Sequence, residues 1–237
     1  EELGIEYSLL DGERDATIQS NQVEDMIAMG ADAILIDPIN GEAIVPALEK
    51  ANDAGIPVIL FMSPVPEEAL NLAASYVGPD NYVLGHQSAQ YAVDCIGEEG
   101  NVLVMNGTIG YTTSDQRQEA WYEILDQYPD ITVLDDQVCS WQLEKAQSIM
   151  EAWLVQYDNI DAVVCINDNA ALGVIAACEE AGRLDDIVVT SCNMYSTAYK
   201  AIKEGKLSSS NECSPVTEIR TAIDTAIAAC GGEEVPL

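Results

Sequence analysis

Short apolar runs alternate along the chain with longer stretches whose apolar residues recur every three or four positions. The first kind of pattern predicts strands, the second amphipathic helices. Strands are predicted at 5–10 (IEYSLL), 31–36, 56–61, 73–78, 101–107, 131–136, 161–166, 186–191 and, weakly because it is polar, 207–213. Helices are predicted at 17–30, 41–55, 88–97, 114–129, 141–157, up to Gly182 after the 161–166 strand, 197–205 and 216–230. Gly30, Gly55 and Gly182 stand where helices should stop, and Pro129 lies beyond another helix end.

Strands this short and this rich in Val and Ile, separated by helices, call for right-handed crossovers. They build parallel sheets covered on both faces. The strands are too many for one small sheet, so two sheets of four to six strands each are expected. An internal echo fits two lobes: 31–61 and 160–191 share the order Asp-Ala, apolar strand, polar turn, Ala-rich helix, Ala-Gly and second strand. Generic βαβ grammar gives the same order, so duplication is one of two readings.

The most abrupt change of pattern is in DAVVCINDNAALGVIAACEEAG, 161–182, where the apolar run stops at Asn167 and Asp168. Ligands of open parallel sheets bind beyond the carboxyl ends of the strands. Asp37, the 61–63 turn, Asn106 and Cys192 fall at such ends too. Asp168 or Asn169 is a candidate cap for the following helix. Asn167, still at the strand tip, is the side chain placed to offer both a donor and an acceptor to a ligand hydroxyl.

Composition narrows the classes. The 237 residues are 48% apolar, and no apolar run approaches the ~20 residues of a membrane span. The net charge of −32, from 9 Lys and Arg against 41 Asp and Glu, speaks against nucleic acid and anionic lipid as partners. Seven cysteines, at 95, 139, 165, 178, 192, 213 and 230, have neither zinc spacing nor a close CxxC pair, and His86 is the single histidine. Cys165 and Cys178 sit in apolar patterns and read as buried. No phosphate loop, dinucleotide fingerprint, HExxH or GxSxG is present, so no cofactor, metal or enzymatic reaction is expected. NGTIG at 106–110 reads as a tight turn or a ligand-facing loop. Trp121 and Trp153 read as helix residues packed on a sheet. Trp141, at the opening of a helix, reads either as core or as a flat stacking face for a ring.

On VEDMIAMGADAILIDPINGEAIVPALEKANDAGIPVILF (23–61), SYVGPDNYVLGHQSAQY (75–91), GNVLVMNG (100–107), DNIDAVVCINDNAALGVIAACEEAG (158–182) and AIKEGKLSSS (201–210), the chain resembles the periplasmic sugar-binding proteins of ABC uptake systems, of the ribose/galactose type. The resemblance implies an α/β fold of two Rossmann-like lobes with parallel sheets, periplasmic binding protein-like type I. The N-terminal lobe would comprise 1–79 plus 214–232 and the C-terminal lobe 80–213, with 233–237 starting a return segment toward the hinge. Such proteins begin with a strand and helix that would precede Glu1 and end with a segment beyond EEVPL, so the chain reads as truncated at both ends. Three crossings, a ligand cleft and hinge closure are implied, as is docking of the closed form on a membrane permease.

Carried over position by position, the resemblance implies a ligand set of Asn167, Trp141, Asp115, Met62, Ser63, Cys192, Cys213, Tyr111 and Arg117. Asn167 keeps the family residue and Trp141 falls at its cleft aromatic. Met62 and Ser63 replace an Asp-Arg pair, Asp115 replaces an arginine while Arg117 keeps a second one, Cys192 replaces an aspartate and Cys213 a glutamine. Gripping sugar hydroxyls in water needs charged hydrogen bonds. A solute that is sugar-like but less hydroxylated, more apolar or cationic fits this set better than a simple pentose or glucose. The implied protein is a monomer, extracytoplasmic, exported by a signal and periplasmic or lipid-anchored as a lipoprotein. The same architecture also serves as the ligand-sensing domain of transcription regulators and of chemotaxis or kinase receptors. Seven cysteines suit a surrounding that is not strongly oxidising.

Overall fold

The computed structural model describes residues 4–236. The chain divides into two compact units, one reaching to Gly78 and resuming at Val216, the other spanning Pro79–Pro215.

In the first unit, α1 (Ala16–Met29) is capped by Asp15, whose carboxylate accepts from the amides of Thr17 and Ile18. It ends where Gly30 turns left-handed at φ 75°. Strands β1 (Ile34–Ile36), β2 (Val58–Phe61) and β3 (Ser75–Val77) pair in parallel in that order, and α2 (Val45–Asp53) connects the first two. Successive strand residues point to opposite faces. Ile34, Ile36, Val58 and Leu60 therefore pack with Val23, Leu48 and Ala51 of α1 and α2. Ile59, Leu35 and Phe61 face Ala222 and Ala226 of α8 (Pro215–Cys230).

Two expectations are corrected here. The run 5–10 forms no strand, and Tyr7 and Leu9 are 83% and 88% exposed. Its alternation is that of a strand, yet no neighbour pairs with it among the described residues. This sheet accordingly has three strands, where four to six were expected.

The second unit holds β4 (Gly100–Asn106), β5 (Ile131–Val138), β6 (Ala162–Cys165), β7 (Val188–Asn193) and β8 (Ser209–Glu212), all parallel, in the order β5-β4-β6-β7-β8. Helices α3 (Asn81–Ile96), α4 (Thr112–Leu125), α5 (Leu143–Gln156), α6 (Asp168–Glu180) and α7 (Ser196–Lys203) connect them. The edge strand β5 shows how the faces are covered. Asp135 accepts from the Trp153 indole of α5 at 2.8 Å, while the adjacent Asp136 accepts from Gln118 and Tyr122 of α4 at 2.6 and 3.1 Å. Neighbouring strand residues point apart, so α4 and α5 lie on opposite faces. α3 packs on α4 and α5 on α6, which completes both layers. At Gly173 a Cβ would overlap the Leu143 carbonyl, so glycine is what lets α5 and α6 approach this closely.

α3 starts at Asn81, seven residues before the expected helix, because the Asp80 carboxylate in GPDN caps it by accepting from the Val83 amide. Trp121 and Trp153 are buried against the sheet as expected, and Trp121 donates to Ser88 at 2.9 Å. Cys139, Cys165, Cys178, Cys192 and Cys213 are buried free thiols. His86 is exposed on α3. No helix of the described residues is long and apolar enough to cross a membrane.

Candidate ligand-binding site

In the second unit the strand order reverses direction between β4 and β6. Loops leaving these neighbours go to opposite faces and leave a crevice at their carboxyl ends. Asn106 and Gly107 end β4, and Asn167 follows β6. Tyr111 precedes α4, and Trp141 follows β5. The Tyr111 and Trp141 rings stand 6.3 Å apart at 58°, and the Arg117 guanidinium lies 6.0 Å from the Trp141 ring.

Trp141 is half-buried and sits with Ser140 in left-handed backbone, at φ 64° and 54°. Two consecutive non-glycine residues held there cost on the order of 1–3 kcal/mol each, a kind of strain that clusters at functional sites. The indole Nε1 is buried without a hydrogen-bond partner among the described residues. So are Ser114 Oγ and Asn81 Nδ2. Gly107 makes the close packing possible: a Cβ there would overlap Ser114 Oγ and come 2.8 Å from Trp141 Cζ2.

Arg117 is 1% exposed. It donates Nε to Asn81 Oδ1 at 3.0 Å and Nη1 to the Ile166 carbonyl at 2.7 Å. Among the described residues it makes no ion pair, so its charge is held by neutral acceptors next to the strand tips. Asp115 is exposed and folds back on its own loop, accepting from the Gly110 amide at 3.2 Å.

The cap expected of Asp168 or Asn169 is supplied instead by Asn167. Asn167, extended at φ −156°, is itself the cap of α6, and its Oδ1 accepts from the Ala170 amide at 2.9 Å. The cap uses one lone pair of that oxygen and leaves the NH2 as a donor. Asp168 caps nothing. It is 0% exposed, and burial pushes its carboxyl above the usual range. The Ser191 and Ser210 hydroxyls, the Tyr195 amide and the Arg117 charge oppose that rise.

Cys192 is turned into the packing with Leu84 and Cys213, its Sγ 3.9 Å from the Leu84 carbonyl, and burial raises its thiol pKa. Such a thiol is a core group. The polar side chain at the end of β7 is Asn193, at φ 107°, with Oδ1 buried and unpartnered among the described residues. The sequence reading missed Asn193, Ser114 and Asn81. Cys213 is 6% exposed beside the exposed Glu212.

In the first unit, Met62 follows β2 at φ 61° and is half-buried, with its carbonyl accepting from Tyr76 Oη at 3.1 Å. Ser63 is buried and hydrogen-bonds Asp37 at the tip of β1. Burial lifts the Asp37 carboxyl to about 6; the Ser63 hydroxyl works against this and the Glu218 charge adds to it.

The tip of the second unit's parallel sheet thus gathers an aromatic face, a buried arginine and unsatisfied polar atoms, the arrangement of an α/β candidate ligand site. The chain belongs to the periplasmic binding protein domain family, whose pattern it matches over residues 1–234. It is similar to a xylitol-binding protein of Mycolicibacterium smegmatis, 29% identical over 93% of this chain and 62% of that protein. A D-apiose import binding protein of Actinobacillus succinogenes is 33% identical over 80% of this chain and 60% of that protein. An ABC transporter solute-binding protein of Bacillus halodurans, solved with bound myo-inositol, superposes with a TM-score of 0.92 at 30% identity. That match covers 97% of this chain and 79% of the other. The chain thus spans about 60% of the length of these curated relatives.

Proposed function

We propose that this chain binds a small sugar-like solute, a polyol, cyclitol or furanose rather than a highly charged metabolite, and serves an ABC uptake permease outside the cytoplasm. The observation that carries the reading is the tip of the second unit's sheet. There the Trp141 and Tyr111 rings adjoin Arg117, with Trp141 Nε1, Ser114 Oγ and Asn193 Oδ1 left to be satisfied. An aromatic face covers the apolar side of a sugar ring, while buried donors and acceptors fix its hydroxyls. Unsatisfied buried polar atoms cost about 1–3 kcal/mol each, a cost that a hydroxylated solute would recover on binding.

The proposed set of the second unit is Asn167, Trp141, Tyr111, Arg117 and Asn193; in the first unit, Met62 and Ser63 are proposed by themselves as ligand-binding residues. Asp115, exposed and acidic, is the group that would favour a cationic substituent. Cys192 and Cys213 act in this reading as packing beneath the site. Monomeric behaviour and a lipid anchor belong to the proposal as well. The relatives that carry the names of sugars and polyols support the solute class.

The test is isothermal titration and thermal shift on the full-length gene product with xylitol, myo-inositol, D-allose, D-ribose and small amines. A micromolar or tighter response to a polyol or sugar supports the reading. Response to none of these, or to an amine lacking hydroxyls alone, overturns it.

A further inference from the structure

One buried carboxyl with three hydrogen bonds, Asp168, lies outside the proposed ligand set. Asp168 Oδ1 accepts from Ser191 Oγ at 2.5 Å and from Ser210 Oγ at 2.6 Å, and Oδ2 accepts from the Tyr195 amide at 2.6 Å. Ser210 Oγ in turn accepts from the Met194 amide at 2.9 Å. One carboxylate therefore gathers the end of β7, β8 and the entry to α7, from a place one residue beyond the α6 cap. The segment it gathers is strained: Asn193 and Met194 both have positive φ, 107° and 50°. Neither is glycine, so the backbone does not favour this turn by itself. Of the three donors, two act on the turn. Tyr195 does so directly and Ser210 by relaying to Met194, whereas Ser191 lies on β7 before it.

We infer that Asp168 is a positioning residue: through Ser210 and the Tyr195 amide it holds the left-handed Asn193–Met194 turn and so sets where the Asn193 carboxamide stands. The inference rests on the proposed function only in treating Asn193 as part of the solute-binding set. The hold on the turn itself does not depend on it. A carboxylate suits the task because two oxygens take three short charge-assisted bonds with fixed directions. A neutral amide would present one oxygen and would set its NH2 either against the two hydroxyls or against the Tyr195 N–H.

Two serines on the same oxygen supply an internal control. Ser191→Ala and Ser210→Ala each remove one hydroxyl from Asp168, but Ser210→Ala also frees the Met194 amide. Hydrogen exchange on the full chain should show the Met194 and Tyr195 amides exchanging about tenfold or more faster in Ser210→Ala and in Asp168→Asn, with β4 and β6 unchanged. Ser191→Ala should leave them within about threefold, and Ser210→Thr, which keeps the hydroxyl, should restore protection. With whichever of myo-inositol, D-allose and xylitol binds the unaltered protein, affinity should fall about tenfold in Ser210→Ala and little in Ser191→Ala. Equal behaviour of the two serine variants in exchange would overturn the inference, as would unaltered exchange at 194 and 195 in Asp168→Asn. Exchange as expected with no probe bound by the unaltered protein would count against the proposed function and leave the positioning role standing.

Discussion

Arg117 Nη1 reaches the carbonyl of Ile166 at 2.7 Å, and the next residue, Asn167, caps α6. A helix on one side of the β4 tip thus holds the backbone at the β6 tip in register. The same guanidinium donates to Asn81 on α3 and lies beside the Trp141 ring. One buried side chain ties the walls of the crevice together, with no ion pair among the described residues.

Arg117→Met should therefore cost more stability than a surface arginine. It leaves the Ile166 carbonyl and Asn81 Oδ1 unpaired in a buried place. Hydrogen bonds to charged groups are worth about 1.5–3 kcal/mol, so a loss of about 2–4 kcal/mol is expected. Urea unfolding at neutral pH measures it. Arg117→Lys should recover only part, since an ammonium lacks the planar fork that serves both acceptors. A loss below about 0.5 kcal/mol, the range of ordinary surface changes, would show that the two bonds do not matter.

The double role of Asn167 lets its cap be tested apart from its NH2. Asn167→Asp keeps an oxygen for the Ala170 amide and removes the NH2. Asn and Asp cap about equally well, so the cap is kept, and the stability lost should be the cost of a carboxylate in this buried place beside Asp168, about 1–3 kcal/mol. Affinity for the solute found in the screen should fall about tenfold or more, because a donor is replaced by a charged acceptor. Asn167→Ala should lose both, with about 1 kcal/mol of stability gone with the cap. If Asn167→Asp titrates like the unaltered protein, Asn167 is a cap alone.

Why the sequence yields some of this and not the rest is physical. Asn167 and Asp168 stood out because an apolar run ends on them, but both residue types cap well. Only the extended backbone at Asn167 decides which of them does. Asn193 stands one position beyond Cys192, the residue that the resemblance points to. β7 is buried almost along its whole length, so it lacks the in-out alternation that would reveal which residues point where. The 5–10 run shows the converse. Its alternation is clear, but a strand exists only with a partner, and pairing is a non-local fact. Ser114 and Asn81 carried no usable signal because each also fits a helix start. The lobes were legible since strand–helix periodicity is local and repeated. The Asp168 network was not, because it joins residues far apart in sequence.

The crowding at Gly107 makes a third prediction. Gly107→Ala places a methyl against Ser114 Oγ and the Trp141 ring, both set in packed surroundings. Overpacking of this kind costs about 1–3 kcal/mol. Much of the strain should be passed to Trp141, since its loop is already in left-handed backbone. Denaturation combined with near-ultraviolet circular dichroism should show both a lower midpoint and an altered indole band. Pairing the change with Ser114→Gly, which clears the hydroxyl, should recover part of the loss. Full independence of the two effects would place the clash elsewhere.

The last prediction concerns Asp37, whose carboxyl is lifted to about 6 at the tip of β1, chiefly by burial. Its Oδ1 has no hydrogen-bond partner among the described residues, and the Glu218 charge opposes its ionisation. A folded-state pKa raised above the ordinary carboxylate value favours the protonated form on folding. The resulting stability is complete at pH below about 4 and is lost as pH rises through about 6. Asp37→Asn removes the ionisation and keeps the shape. Relative to the unaltered chain, the variant should gain stability between pH 4.5 and pH 7.5. A gain of about 1–2 kcal/mol is expected, less than the full shift would give because the group is only half-buried. The many other carboxylates of this acidic chain shift both proteins alike and cancel in the difference. Guanidinium unfolding at the two pH values measures it. A stability difference that does not change with pH would mean that Asp37 ionises in the folded protein as it does in water.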